Sequence, residues 1–218
     1  MRKHQYTTGR EMRLMRRLTE ERLHPCVPIW VIPGGKRLER KTAGAVGFDA
    51  FIRAIVSPTE KDPENHVFRR TLFDFENMPT AGRTELQVNP VPREGGLQNG
   101  TELAYDMEPG ESVLVGIGFV TAMPFPIFYW VAPRSGLASV HKVTVANAPG
   151  TVDPDYRGEA GVVVLNGSPH RFRLRHGMRI AQIVFQEALI PAFVPVAHHA
   201  ELGATIRGTG GFGSTGLM

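Results

Sequence analysis

Twenty-four glycines and 17 prolines break this 218-residue chain into short runs, and little helical periodicity survives after residue 40. A long helix does not cross such punctuation, because proline lacks an amide donor and glycine weakens element interiors. What remains between the breaks is rich in strand formers: residues 27–32, 43–56, 112–120, 127–132, 161–165 and 179–185. Pro33-Gly34-Gly35, Pro109-Gly110 and His176-Gly177 stand where tight turns are needed. The body is therefore expected to be all-β.

Two regions depart from this pattern. Residues 1–24 form an N-terminal arm in which Thr8 and Glu11 have capping-box spacing. Leu14, Met15 and Leu18 then share one face, which predicts a short helix that packs or touches another subunit rather than nucleic acid. Residues 57–100 read as an insertion, with proline, asparagine and charge at both ends and a surface-hairpin strand expected within 67–75. The expected organisation is an arm (1–24), a β domain (25–206) and a glycine-rich C-terminal strap (207–218).

Composition narrows the class. Hydrophobic residues make up 42% and charged residues 21%, as in ordinary soluble domains. The longest apolar candidate, residues 124–132, is too short and too proline-broken to span a bilayer. No secretory signal is legible, and Glu11, Glu20 and Glu21 argue against a transit peptide. Cys26 is the only cysteine, which excludes an internal disulfide and suits a reducing, cytoplasmic setting. A net charge of +4 fits an anionic partner, whether nucleic acid or nucleoside triphosphate.

Three segments carry chemistry. Residues 147–158, Asn-Ala-Pro-Gly-Thr-Val-Asp-Pro-Asp-Tyr-Arg-Gly, form a hairpin with two carboxylates and a tyrosine. Asp155 is as well explained as a turn former. Asp153, between Val152 and Pro154, can be held facing inward, where a carboxylate is costly unless used, and can serve as a general base. In residues 132–138, Arg134, Ser135 and Gly136 offer a forked cation, a hydroxyl and accessible amides, the groups a phosphate requires. Residues 207–216 set Arg207, Phe212, Ser214 and Thr215 among five glycines. Such a strap can fold over a nucleotide, although a floppy tail has the same composition. It lacks the Gly-Lys-Ser/Thr ending of a phosphate loop.

Taken in order, these pieces resemble the five motifs of the trimeric dUTPase family. Gly44-Ala45-Val46-Gly47-Phe48-Asp49-Ala50 resembles the first, residues 133–138 the second and 147–158 the third. Gly177-Met178-Arg179-Ile180-Ala181-Gln182 resembles the fourth and residues 207–216 the fifth. The resemblance implies a jelly-roll-like β-clip fold, a homotrimer with active sites shared among subunits, and hydrolysis of dUTP to dUMP and pyrophosphate. It implies Asp153 as the base that activates water, and Asn147, with the Gly150 and Val152 backbone, reading uracil. Tyr156 would lie on the deoxyribose and reject UTP. Arg134, Ser135, Gly136 and Gln182 would hold phosphates, joined by Arg207, Gly213, Ser214 and Thr215 of the strap, while Phe212 covers the base. Asp49 would lie near Mg²⁺ through water. No membrane or nucleic-acid partner is implied, while the insertion leaves room for a protein partner.

The match has departures. Val140 stands where the family often has lysine, with Lys142 nearest, so the loop between motifs two and three is expected to be remodelled. Ala50 replaces the usual leucine of motif one. The related dCTP deaminase branch shares the fold, but its proton-shuttling glutamate corresponds to Val163, three residues before Asn166. A non-catalytic regulatory binder on the same fold would have little need for both Asp153 and an intact strap. A nucleic-acid-binding barrel would need aromatics interleaved with Arg171, Arg173 and Arg175, and Phe172 alone, pointing the other way, does not supply them.

Overall fold

The computed structural model describes residues 25–64, 66–75, 88–92 and 101–210. The expected N-terminal helix lies outside them. The chain divides into two compact units, Met1–Ala188 and Leu189–Met218.

Among its described residues, the regular structure of the first unit is strand apart from one helical turn. Its early strands are β1 (Ile29–Val31), β2 (Phe48–Phe51), β3 (Ala54–Val56), β4 (Glu60–Lys61), β5 (Val67–Phe68) and β6 (Thr71–Asp74). β7 (Val88–Pro92), β8 (Thr101–Met107), β9 (Ser112–Gly116), β10 (Phe119–Thr121) and β11 (Ile127–Pro133) follow. After a turn of π-helix (Leu137–His141) come β12 (Val143–Val145), β13 (Gly150–Val152), β14 (Gly161–Asn166), β15 (Phe172–Arg175) and β16 (Arg179–Glu187). The two main sheets run β13-β11-β16-β2 and β12-β14-β9-β3-β6, with a third of order β15-β8-β7. The pairings are antiparallel, as an all-β chain with short connections favours.

Strand alternation builds one shared core. β14 alternates half-buried and buried from Gly161 to Asn166, sending Val162 and Val164 inward. They meet Val115 of β9, Tyr129 and Ile183 of the first sheet and Leu174 of the third in one cluster. Tyr129, Phe73 and Phe119 are among its largest side chains.

The fold corrects three expectations. Residues 43–56 form two strands, with Ile52 and Arg53 between them bonded to Met178 and Gly116 rather than to a neighbouring ladder. Residues 112–120 likewise split, because Gly118 takes a left-handed φ of 74° between β9 and β10. Most telling is β6, expected in a surface hairpin. It pairs with β3 inside the five-stranded sheet, and Phe73 is fully buried with Phe75 beside it. Truncating a ring so placed costs about 3–5 kcal/mol, so residues 71–75 belong to the body.

The loop after motif two is built on the turn of π-helix. Lys142 closes the helical turn in the left-handed region (φ 58°) and its Nζ donates to the Ser139 carbonyl at 2.8 Å, while Val140 is exposed. Arg171 and Arg173 face acids rather than a basic groove. Arg173 grips Asp106 across the β15–β8 ladder at 2.6 and 2.7 Å, and Arg171 pairs with Glu108. Phe172 turns the opposite way, onto the core.

Among its described residues the second unit has no strand. A single 3-10 turn (His199–Leu202) is closed by a capping box between His198 and Glu201. Leu189, Phe193, Val194 and Ile206 are exposed. Among the described residues no helix is long and apolar enough to cross a membrane.

Candidate functional site

Motifs one, two and four meet because three strands lie side by side. In the β11–β16–β2 sequence of the first sheet, Ala132 stands opposite Gln182, and Gln182 opposite Asp49. Arg134 follows directly from the end of β11 and so reaches the same end of the sheet. Its Nε donates to Oδ1 of Asp49 at 3.1 Å, while Nη1 of Arg179 donates to Oδ2 at 3.0 Å. Arg134 Nη1 adds a bond to the Arg179 carbonyl at 3.3 Å. The Asp49 side chain is only 9% exposed, against 23% and 41% for the two arginines. The carboxylate therefore works from below, holding two guanidiniums that are more exposed than it is.

Above this cluster lies a cavity of about 270 Å³, lined by Arg134, Ser135, Gly136, Asp49, Gln182 and Arg179 together with Lys41, Ala45 and Gly47. Three cations stand against one carboxylate, so the cavity favours an anion. A Cβ on Gly47 would sit 2.4 Å from Oε1 of Gln182, so glycine there lets the amide into the cavity. A Cβ on Gly136 would meet nothing within 4 Å, leaving its backbone open to a ligand.

Arg179 and Lys41 are the residues that sequence reasoning passed over. On a regular strand Arg179 and Gln182, three apart, face opposite sides. A register shift between Arg179 and Ala181 buries two successive residues, Ile180 and Ala181, and brings both polar side chains to one face. Lys41 precedes motif one and is bonded to Glu39 at 2.8 Å; no pattern in the sequence singles it out.

The motif-three hairpin stands apart from that cavity: Asn147, Gly150, Val152, Asp153 and Tyr156 do not line it. β13 is the edge strand of the sheet, with Gly150 opposite Val131 and Val152 opposite Tyr129. The Asn147 amide lies beside Gly150, 3.3 Å from where a Cβ would be. Tyr156 donates its hydroxyl to the Glu159 carbonyl at 3.1 Å, above a Gly158 whose Cβ would fall 2.3 Å from that oxygen. Arg157 braces the turn through the carbonyls of Pro154 and Tyr156. Burial pushes the nearby Tyr129 phenol above its usual range, so it stays neutral. The expectation of an inward Asp153 is corrected. Burial alternates along Gly150, Thr151, Val152 and Asp153, so the carboxylate is exposed on this chain.

In the C-terminal unit, Arg207 Nε donates to the Gly210 carbonyl at 2.9 Å, and Gly208 N–H donates to Oγ1 of Thr205. Phe212, Gly213, Ser214 and Thr215 lie outside the described residues.

For a divalent cation the donor set is thin. Among the described residues no three His, Cys, Asp or Glu side chains come together as a metal site. Asp49 already accepts one guanidinium bond on each oxygen. A carboxylate has about four lone-pair sites, so Asp49 can still accept a water. It fits a magnesium ion held through water on a polyphosphate, not a resident ion with a protein cage.

An all-β chain with a cationic, carboxylate-backed cavity at one sheet end and a polar hairpin at the sheet edge offers a site of the kind that suits a phosphate ester. Comparison narrows the class. A family profile described as dUTPase matches residues 100–216. The deoxyuridine 5'-triphosphate nucleotidohydrolase of Desulfotalea psychrophila is 49% identical over 111 residues, 51% of this chain and 72% of that protein. The enzyme of the same name from Gloeothece citriformis is 46% identical over 112 residues, 51% of this chain and 75% of that protein. This chain belongs to the dUTPase family. The fold is also that of a Staphylococcus bacteriophage 80alpha dUTPase solved with dUpNHpp, with a TM-score of 0.59 at 15% identity over 88% of this chain and 99% of that one. A phage phi11 dUTPase, whose structure describes coordination of a structural Mg(II) ion, gives 0.53 at 12% identity, covering 79% and 97%.

Proposed function

We propose that this protein hydrolyses dUTP to dUMP and pyrophosphate and so keeps uracil out of DNA. The observation that carries the reading is the convergence of Arg134, Arg179, Lys41 and Gln182 on one cavity backed by Asp49. Such a forked, pre-oriented cation pair suits the oxygens of a polyphosphate. The names of the related enzymes supply the nucleotide.

In this reading Asn147 and the backbone of Gly150 and Val152 pair with the uracil edge, and Tyr156 packs on the deoxyribose where a 2′-hydroxyl finds no room. Asp153 takes a proton from a water whose oxygen attacks the α-phosphorus. The bond from that phosphorus to the bridging oxygen breaks, and pyrophosphate leaves with the bond's electrons. Arg134, Ser135, Gly136 and Gln182 hold the phosphates in line, with Arg179 and Lys41 beside them. Magnesium, when bound, neutralises and shapes the triphosphate, with Asp49 in contact through water.

At about 270 Å³ the cavity is smaller than the roughly 300–1,000 Å³ of whole-ligand sites. It suits the phosphates of one nucleotide and leaves base and sugar to another surface. A homotrimer supplies that surface when the hairpin of one copy faces the cavity of the next. This arrangement also gives the exposed Asp153 a partner. The glycine-rich strap, 207–218, then closes over the nucleotide with Arg207, Gly213, Ser214 and Thr215 on phosphates and Phe212 on the base. The N-terminal arm and what remains of the insertion are left for contacts outside the site, and the cytoplasm is the expected compartment.

The test is pyrophosphate release from dUTP, dCTP, dTTP and UTP with Mg²⁺, with ammonia followed in the dCTP sample. Rapid release from dUTP alone is expected. No release from folded protein would replace the enzyme with a regulatory binder. Ammonia from dCTP would overturn the argument from Val163, a half-buried residue of β14 that has no proton to exchange.

A further inference from the structure

We infer that the buried Arg53–Glu159 ion pair is a positioning device for Tyr156, and that it sets how strictly the sugar is selected. The inference rests on the proposed contact between Tyr156 and the deoxyribose.

Glu159 holds Tyr156 with its main chain and is itself held by its side chain. Its carbonyl accepts the Tyr156 hydroxyl at 3.1 Å and Nη1 of Arg69 at 3.2 Å. Its carboxylate turns into the body and meets Arg53 in a two-pronged bond, Nε to Oε1 and Nη2 to Oε2, each at 2.7 Å. Oε1 also accepts the Gly118 amide at 2.8 Å. The side chains are 11% and 13% exposed. Two glycines make the room: a Cβ on Gly116 would lie 2.6 Å from Oε1, and Gly118 packs against the Arg53 stem. The next residue, Ala160, is fixed on both sides, donating to Phe119 and accepting from Ile117, each at 3.1 Å.

Stability alone does not account for this choice. A buried ion pair gains little over a well-packed apolar pair of similar volume, because desolvation offsets the attraction. What a bidentate fork adds is orientation: it fixes the carboxylate in both translation and rotation. The Glu159 bond raises the Arg53 guanidinium above its ordinary value, so the fork stays charged across the working range. Tyr156 sits on a turn beyond an edge strand, and among the described residues its hydroxyl is held by the Glu159 carbonyl. The ring therefore inherits its placement from Arg53 through Glu159.

The experiment compares kcat/KM for dUTP and UTP, with melting temperature, in Glu159→Gln, Arg53→Lys and Tyr156→Ala, and in Glu159→Gln combined with Tyr156→Ala. Glu159→Gln is expected to lower the dUTP/UTP ratio by about 10- to 100-fold, up to the roughly 10²-fold loss that a misplacement of about 1 Å can produce. Arg53→Lys, which keeps the charge and loses the fork, should move it the same way. In the Tyr156→Ala background the Glu159→Gln effect on the ratio should vanish. A lowered melting temperature with an unchanged ratio would make the pair purely structural and overturn the inference. So would an equal shift with and without the Tyr156 ring. If Tyr156→Ala itself leaves the ratio unchanged, the sugar contact and this inference fall together. If it moves the ratio and the other two variants do not, only the inference falls. Should Glu159→Gln fail to fold, Arg53→Lys decides by the same readout, with its own combination with Tyr156→Ala.

Discussion

Arg134 and Asp49, 85 residues apart in the chain, meet Nε to Oδ1 at 3.1 Å. The bond ties motif two to motif one, and Arg179 closes on the other oxygen to add motif four. The carboxylate thus sets the direction of both cations before any ligand arrives, which is what preorganised charge stabilisation requires.

Asp49→Ala removes the shared acceptor. Both arginines are partly exposed and turn to water, so the fold should lose only about 1–3 kcal/mol, the range for a lost charged hydrogen-bond partner. Binding should suffer more. KM for dUTP is expected to rise at least about tenfold, the equivalent of one such interaction. Steady-state kinetics beside thermal melts separate the two effects, and an unchanged KM would remove Asp49 from the phosphate site.

Asp153→Asn keeps the shape of an exposed side chain and removes its basicity. Turnover should fall by about 10²–10⁴, the contribution of a positioned general base. Affinity for a non-hydrolysable dUTP analogue, measured by calorimetry, should change only a few-fold by the same argument. Loss of binding in place of turnover would make Asp153 a structural residue.

The sequence carried the motifs and not the contacts among them. Arg134, Ser135, Gly136 and Gln182 were legible because a phosphate asks for those groups and because five motifs fell in order. Arg179 was not, because a one-residue irregularity between Arg179 and Ala181 reverses the face that strand alternation assigns it. Phe73 was misplaced for a different reason. Its run is flanked by proline, asparagine and charge, so local pattern reads as surface, while its burial depends on pairing between Ala54–Val56 and Thr71–Asp74. For Asp153, the neighbouring Val152 and Pro154 suggest an inward turn. Alternation instead sends Val152 inward and the carboxylate out.

Deletion of residues 207–218 tests the strap. Residues 189–209 are all exposed, so their C-terminal end contributes no buried surface to its own unit that could raise the melting point. The melting temperature should stay within about a degree, since the exposed residues 207–209 add negligible burial to the unfolding free energy. Hydrolysis should drop by about 10²-fold or more, as when one preorganised donor to a developing charge is lost. Full activity in the truncated protein would assign the tail no part in the reaction.

Acid should weaken the β15–β8 pairing before the core. The Arg173 guanidinium, bonded to both oxygens of Asp106, holds that carboxyl below its ordinary range. The folded state therefore keeps Asp106 ionised at a pH where the unfolded chain protonates it, and the unfolded state binds more protons. Its contribution is fully present above the unfolded value of about 3.9 and is lost as pH falls through the lower folded value. Asp106→Asn should lower the melting temperature at neutral pH and lose less of it than the parent between about pH 5 and pH 3, a window that brackets the unfolded carboxyl. Parallel curves for the two proteins across that window would mean that Asp106 titrates as it does in the unfolded chain and that the cross-strand pair adds nothing to acid stability.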